Sequence, residues 1–232
     1  WEQWSVADIV EFAETVDLKE VKSLLDGQIE LNCAISGAGL RRPFGAQIGR
    51  TLLEVCEDTV WTRAKARAAA ASDARMGGCS LPVVINSGSG NQGLTVSLPV
   101  IEYAEHLKVP QEKLYRALLI SNLIAIYQKH FIGSLSAFCG AVTAAAGCGA
   151  AITWLHGGTL ENICDTIGMI NGKRMIFVHI DRADVLGILK KECYPMWVTE
   201  RVQVIREFQK NPAVFEFGNM HFLGVGQLPP PK

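Results

Sequence analysis

The chain has 232 residues, 49% of them hydrophobic, with 22 Lys and Arg against 23 Asp and Glu. That length suits one domain, or one domain with an appendage, and the apolar share is enough for a sizeable core. The near-zero charge without a basic stripe argues against nucleic acid and membrane surfaces as partners, and seven irregularly spaced cysteines argue against a secreted disulfide scaffold and for a reducing, cytoplasmic setting.

No C-x-x-C pair is present, which removes a zinc ribbon from consideration. The first residue is Trp1, as expected of a fragment, and no signal peptide is visible. Ser5 followed by Asp8 reads as a helix start, with Ile9, Phe12, Ala13 and Val16 at helical spacing. Asp17 caps a second helix carrying Val21, Leu24 and Leu25. The segment Ile29–Ile35 fits helix or strand, and Gly37-Ala38-Gly39 reads as its end. Pro43 opens a helix containing Ile48, Leu52, Leu53 and Cys56. Val60–Ala71 is alanine-rich, a helix by propensity.

Two glycine-rich polar turns follow, Ser72–Gly78 and Asn86–Gly93, with the apolar run Leu81–Ile85 between them. Glycines let a ligand approach the main chain closely, and successive N–H groups in such a turn can converge on an anion. The bland alternative is a flexible surface loop. Leu98–Leu107 reads as a helix with Pro99 in its first turn, so the second turn lies close to a helix N-terminus. Gln111–Lys129 is a further helix. Gly133–Leu155 has no charged residue, but its Ala, Gly, Ser and Thr content fits a buried central helix better than a membrane span. From Gly168 the character changes: Arg174–Ile180 looks like a strand, Asp184–Tyr194 and Val198–Phe208 like short helices, and Gln227–Lys232 like a disordered end.

Gly88-x-Gly90-x-x-Gly93 formally matches a dinucleotide fingerprint, but the second strand and its acidic residue are missing, which argues against that fold. Asp73 and Arg75 either pair with each other or hold the ammonium and carboxylate of an amino acid. Cys139 and Cys148, nine residues apart, fall on opposite sides of one helix and do not ligate one metal directly.

The segments S-D-A-R-M-G-G at 72–78, N-S-G-S-G-N-Q-G at 86–93 and L-S-A-F-C-G at 135–140 resemble the L-cysteine desulfidase family, which is related to the alpha chain of iron–sulfur L-serine dehydratase. The resemblance runs from about Asp17 to Thr166. It implies a mainly α fold: a truncated helical lyase domain over 1–167, then a small divergent α/β C-terminal extension over 168–232. It also implies a cytoplasmic lyase that converts L-cysteine to pyruvate, ammonia and sulfide without pyridoxal phosphate. The L-serine ammonia-lyase reaction and a non-catalytic binding fragment are the alternatives. The implied cofactor is a [4Fe–4S] cluster held by three cysteines, with one iron open as a Lewis acid.

By position, Cys139 resembles the first cluster ligand. The turns resemble the substrate-binding part: Asn86, Ser87, Gly88, Ser89, Gly90, Asn91 and Gln92 around the substrate carboxylate, Asp73 and Arg75 organising the loop, and Lys129 as a further polar contributor. The base that removes the α-proton is not identified. The family's additional N-terminal half has no counterpart here, and neither does its Cys-Asp-Gly-Ala-Lys segment. At least two expected ligands are therefore absent, and the chain alone is expected to be inactive. A frame-shifted or mis-joined end, or a divergent extension, accounts for the change at 168. The expected partner is a small L-amino acid, and a homo-oligomer is allowed.

Overall fold

The computed structural model describes residues 5–132 and 140–176. Within them the chain forms α1 (Val6–Thr15), α2 (Leu18–Arg41), α3 (Ile48–Val55), α4 (Val60–Met76), α5 (Gly90–His106), α6 (Gln111–Ile132), α7 (Gly140–Leu155) and α8 (Leu160–Ile176). No strand occurs among the described residues; the one ladder-like pairing is the isolated bridge Asn86↔Ser89. The mainly α expectation is met.

The starts of α1 and α2 follow the local signals. Ser5 and Asp8 form a reciprocal capping box, and the Asp17 carboxylate accepts from Lys19 N–H. Elsewhere packing overrides the punctuation. α2 runs straight through Gly37 and Gly39 to Arg41, where the sequence suggested an end. The reason is contact: a Cβ on Gly39 would stand 2.0 Å from the Ala70 carbonyl oxygen of α4. The first polar turn is likewise not a turn for most of its length. Ser72–Met76 completes α4, which closes at Gly77 with its N–H on the Asp73 carbonyl (2.8 Å). Arg174–Ile176, the beginning of the expected strand, is the last turn of α8. The rest of that strand, the two later helices and the disordered end lie outside the described residues.

α5 is the largest departure. It opens at Gly90, eight residues before the expected start, and Pro99 sits in its interior rather than in its first turn. Gly-Leu-Thr-Val-Ser-Leu-Pro is a poor helix by propensity, so tertiary contacts must hold it. Gln92–Ala104 are all buried. Ser121 Oγ of α6 donates to the Val96 carbonyl (2.6 Å), and Asn32 of α2 donates to Ser97 Oγ (2.9 Å). α7 is the buried, small-residue helix the sequence suggested, with Ala144, Ala145, Ala146, Ala150 and Ala151 fully enclosed. It packs on α6, α5 and α8. The main core joins Ile9, Leu25, Ile101, Leu118, Ile124, Ile152 and Ile163 from six helices around α5–α7. α2 and α3 flank α4, and α4 leans on the outer side of α5. No described helix is long and apolar enough to cross a membrane.

Candidate active site

The site is built at the N-terminus of α5. Asn86 and Ser89 exchange both backbone hydrogen bonds (3.1 and 3.0 Å) across a two-residue turn. Ser87 (φ 48°) and Gly88 (φ 79°) occupy its corner in the left-handed region. Such a turn needs positive φ at both central positions, which Gly88 supplies without strain. The turn delivers Ser89 to the N-cap of α5, where its Oγ accepts from Gln92 N–H (3.4 Å). The N–H groups of Gly90 and Asn91, in the first helical turn, have no intrahelical acceptor. They are the donors available to an anion there.

Buried carboxamides hold this turn in place. Asn86 is 4% exposed, and its Nδ2 donates to the side-chain oxygen of Asn122 on α6 (3.0 Å). Asn122 in turn exchanges bonds with Gln28 of α2 (2.9 and 3.1 Å). Ser87 Oγ donates to Asn86 Oδ1 (2.9 Å). Asn32, fully enclosed, accepts from Val84 N–H (2.9 Å) and donates to the Gly93 carbonyl (3.3 Å), clamping the 81–85 run onto α5. On the far side of the helix Gln92 Nε2 donates to Thr143 Oγ1 of α7 (3.0 Å). Gly140 lies so close that a Cβ there would be 2.2 Å from Gln92 Oε1. Asn32, Asn122 and Gln28 escaped the sequence reading. Their signal, amides on apolar helix faces, exists in the sequence but does not say what they meet.

The remaining candidates divide. Arg75, in the last turn of α4, crosses the start of α5: a Cβ on Gly90 would meet its Nε at 2.3 Å, and its NH1 donates to Asn91 Oδ1 (3.1 Å). Among the described residues no carboxylate pairs with it. Asp73 turns the other way. Its carboxylate accepts from Ile48 N–H (2.6 Å) and caps α3, whose own N-cap Gln47 makes no side-chain capping bond. Burial pushes the Asp73 carboxyl above its ordinary value, against the opposing pull of the Ile48, Ala46 and Gly49 N–H groups. Lys129 is half-buried on α6, two turns beyond Asn122. Cys139 lies outside the described residues.

A second charged cluster lies about 18 Å along α5 from Gly90, at 1.5 Å per residue. Glu102 accepts from Arg63 (2.7 Å) and Arg67 (2.8 Å), and Arg67 also reaches Glu105 (2.7 Å) and the Cys33 thiol (3.1 Å). Each of these arginines is paired with two carboxylates, so the cluster staples α4 to α5. A cavity of about 480 Å³ adjoins it, walled by Leu40, Leu53, Cys56 and Thr62.

The implied cluster asks for three converging thiolates. The described cysteines sit on separate elements: Cys33 on α2, Cys56 after α3, Cys79 after α4, Cys148 on α7 and Cys164 on α8. No three His, Cys, Asp or Glu among the described residues are placed to share a metal ion. Cys148 is 1% exposed within the apolar core. The described residues therefore supply no ligand set for a [4Fe–4S] cluster, and Cys139 and Cys193 lie outside them.

Residues 2–175 match the model of the serine dehydratase alpha chain. The chain belongs to the serine dehydratase alpha chain family. Within reach of this family it is 62% identical over 163 residues to a UPF0597 protein of Lachnoclostridium phytofermentans, covering 70% of this chain and 39% of that one. It is 58% identical over 163 residues to the UPF0597 protein DSY1109 of Desulfitobacterium hafniense, at 70% and 38% coverage. It is 42% identical over 173 residues to the UPF0597 protein YhaM of Escherichia coli K12, at 72% and 39% coverage. The chain thus spans about two fifths of the length of these curated relatives. No solved structure matches it.

Proposed function

We propose that this chain is the substrate-anchoring part of a β-eliminating lyase that converts L-cysteine and water to pyruvate, ammonia and sulfide. Family membership supports a lyase of the serine dehydratase kind. The observation that carries the placement of the substrate is Arg75, a guanidinium with no carboxylate partner among the described residues, laid across the N-terminus of α5. Two electropositive features there favour a small carboxylate. In this reading Arg75, with the Gly90 and Asn91 N–H groups, binds the substrate carboxylate. Ser87, Ser89 and Asn91 line its surroundings. Asn86, Gln92, Asn122 and Gln28 fix the turn so that those donors stay aligned. Asp73 keeps α3 docked on α4 and thereby steadies the turn of helix that carries Arg75. Because the described residues do not fit the cluster, no step is assigned to iron.

The test is calorimetry of the chain with L-cysteine under anaerobic, metal-free conditions, repeated with Arg75→Met. Wild type is expected to bind, and Arg75→Met to lose about tenfold or more in affinity, the value of a charge-assisted bond. Equal affinities would sink the placement. Release of sulfide against pyruvate from L-cysteine and L-serine, by the complete protein that contains this chain, decides the substrate.

A further inference from the structure

Among the described residues, one buried polar side chain at the level of the α5 N-terminus has no hydrogen-bond partner. The layer can be counted from fixed contacts. Ser121 of α6 bonds the Val96 carbonyl of α5, and Ala125 packs with Val96 and Ala144 of α7. One turn further along α6 stands Gln128. One turn back along α5 and α7 stand Gln92 and the Gly140–Thr143 turn. The three-helix seam that is alanine at Ala125 and Ala144 becomes carboxamide at its end.

Gln92 is occupied there by Thr143. Gln128 is 7% exposed, yet among the described residues neither its Oε1 nor its Nε2 has a hydrogen-bond partner. Buried amides are nearly always paired, and an unpaired one costs stability where Met or Leu would fill the same volume. A group that keeps a donor and an acceptor idle, side by side, fits a ligand that presents both. An amino-acid zwitterion does so, through its ammonium and carboxylate; a simple anion or cation presents one alone.

We propose that the Gln128 carboxamide recognises the zwitterion of the substrate, Oε1 accepting from the α-ammonium and Nε2 donating to a carboxylate oxygen. This rests on the reading of the α5 N-terminus as the substrate site. Gln128 makes that site select α-amino acids over plain carboxylic acids. Arg75 and the helix terminus, by contrast, bind either.

The experiment is anaerobic calorimetry of the full 232-residue chain with L-cysteine and with 3-mercaptopropionate, which lacks the amine, using wild type, Gln128→Met and Gln128→Leu. Wild type is expected to prefer L-cysteine by about tenfold or more, and the variants to prefer it by less than about threefold, through weaker L-cysteine binding alone. The ligand-free variants are expected to melt at or above wild type, because an orphaned amide has been replaced by apolar volume. Undiminished preference in either variant overturns the proposal. So does a lower melting temperature in both, which would show the amide already paired within the free protein. If wild type binds neither compound, the site at α5 itself is wrong. If it binds both equally, the carboxylate site stands and the role of Gln128 falls.

Discussion

Gly93→Ala is the substitution whose effect the structure bounds best. Gly93 lies in the first turn of α5, where alanine is ordinarily better than glycine by about 1 kcal/mol. Here a Cβ would stand 2.0 Å from the Val84 carbonyl oxygen and 2.9 Å from two backbone carbons of Ile85. A comfortable carbon–oxygen contact is about 3.3 Å, so one backbone must retreat by more than about 1 Å. Neither backbone is free to do so. Asn32 bonds Val84 N–H on one side and the Gly93 carbonyl and Ser97 Oγ on the other. Separating them strands a fully buried amide, worth about 1–3 kcal/mol, on top of overpacking of about 1–3 kcal/mol. Less the propensity gain, the net loss is about 1–5 kcal/mol. At roughly 2–4 °C per kcal/mol for a domain of this size, the melting temperature should fall by roughly 2–20 °C. Gly27→Ala is the control. It sits inside α2 with nothing within 4 Å of its Cβ position, and should gain about 0.5–1 kcal/mol. Thermal melts and urea titrations followed by helical circular dichroism measure both. If Gly93→Ala melts with or above wild type while Gly27→Ala behaves as stated, the close seating of α5 on the 84–85 backbone is wrong.

Glu102→Gln removes the charge that Arg63 and Arg67 share, and should lower the unfolding free energy by about 2–4 kcal/mol in urea titration; a change within error would mean that Glu105 and Asp58 suffice. For Asp73 the native pKa lies above its ordinary value of 3.8 because burial outweighs the N–H groups it accepts from. The native state therefore holds the proton more tightly, and this group's contribution to stability is lost as pH rises through the native pKa and regained on acidification toward 3.8. The stability of wild type relative to Asp73→Asn should accordingly improve as pH falls across that window, and the opposite slope would contradict the burial argument. Thiol labelling followed by mass spectrometry should modify exposed Cys56 and Cys164 first. Cys33 should follow slowly, its thiol pushed up by burial against the pull of Arg67. Cys148, 1% exposed, should label on unfolding; native-state labelling of Cys148 at the rate of Cys56 would refute the packing of α7.

Much of the helical content was legible because its causes are local. Ser5 and Asp17 announce their helices through caps a few residues away, and Ala-rich α4 follows from propensity. Glycine and proline misled wherever a distant element decided. Gly39 reads as a stop but is a contact with α4, and Pro99 reads as a start but lies deep in α5. The candidate site shows the same division. Asn86–Gln92 stood out by composition, and Arg75 by its neighbourhood. That Asp73 faces α3 while Arg75 faces α5 needed the angular position of each side chain on α4, together with what stands beside it.

By itself the sequence determined that this protein is helical, that its second glycine-rich turn is a polar bend built for close main-chain approach, and that its alanine-rich helix is buried. These follow from propensities and periodicities acting over a few residues. The tertiary structure alone decided where α5 begins, which amides brace the turn and that Gln128 is left with unused hydrogen-bonding capacity among the described residues. Each of those depends on atoms tens of residues apart meeting within about 3 Å, the range over which hydrogen bonds and steric overlap act.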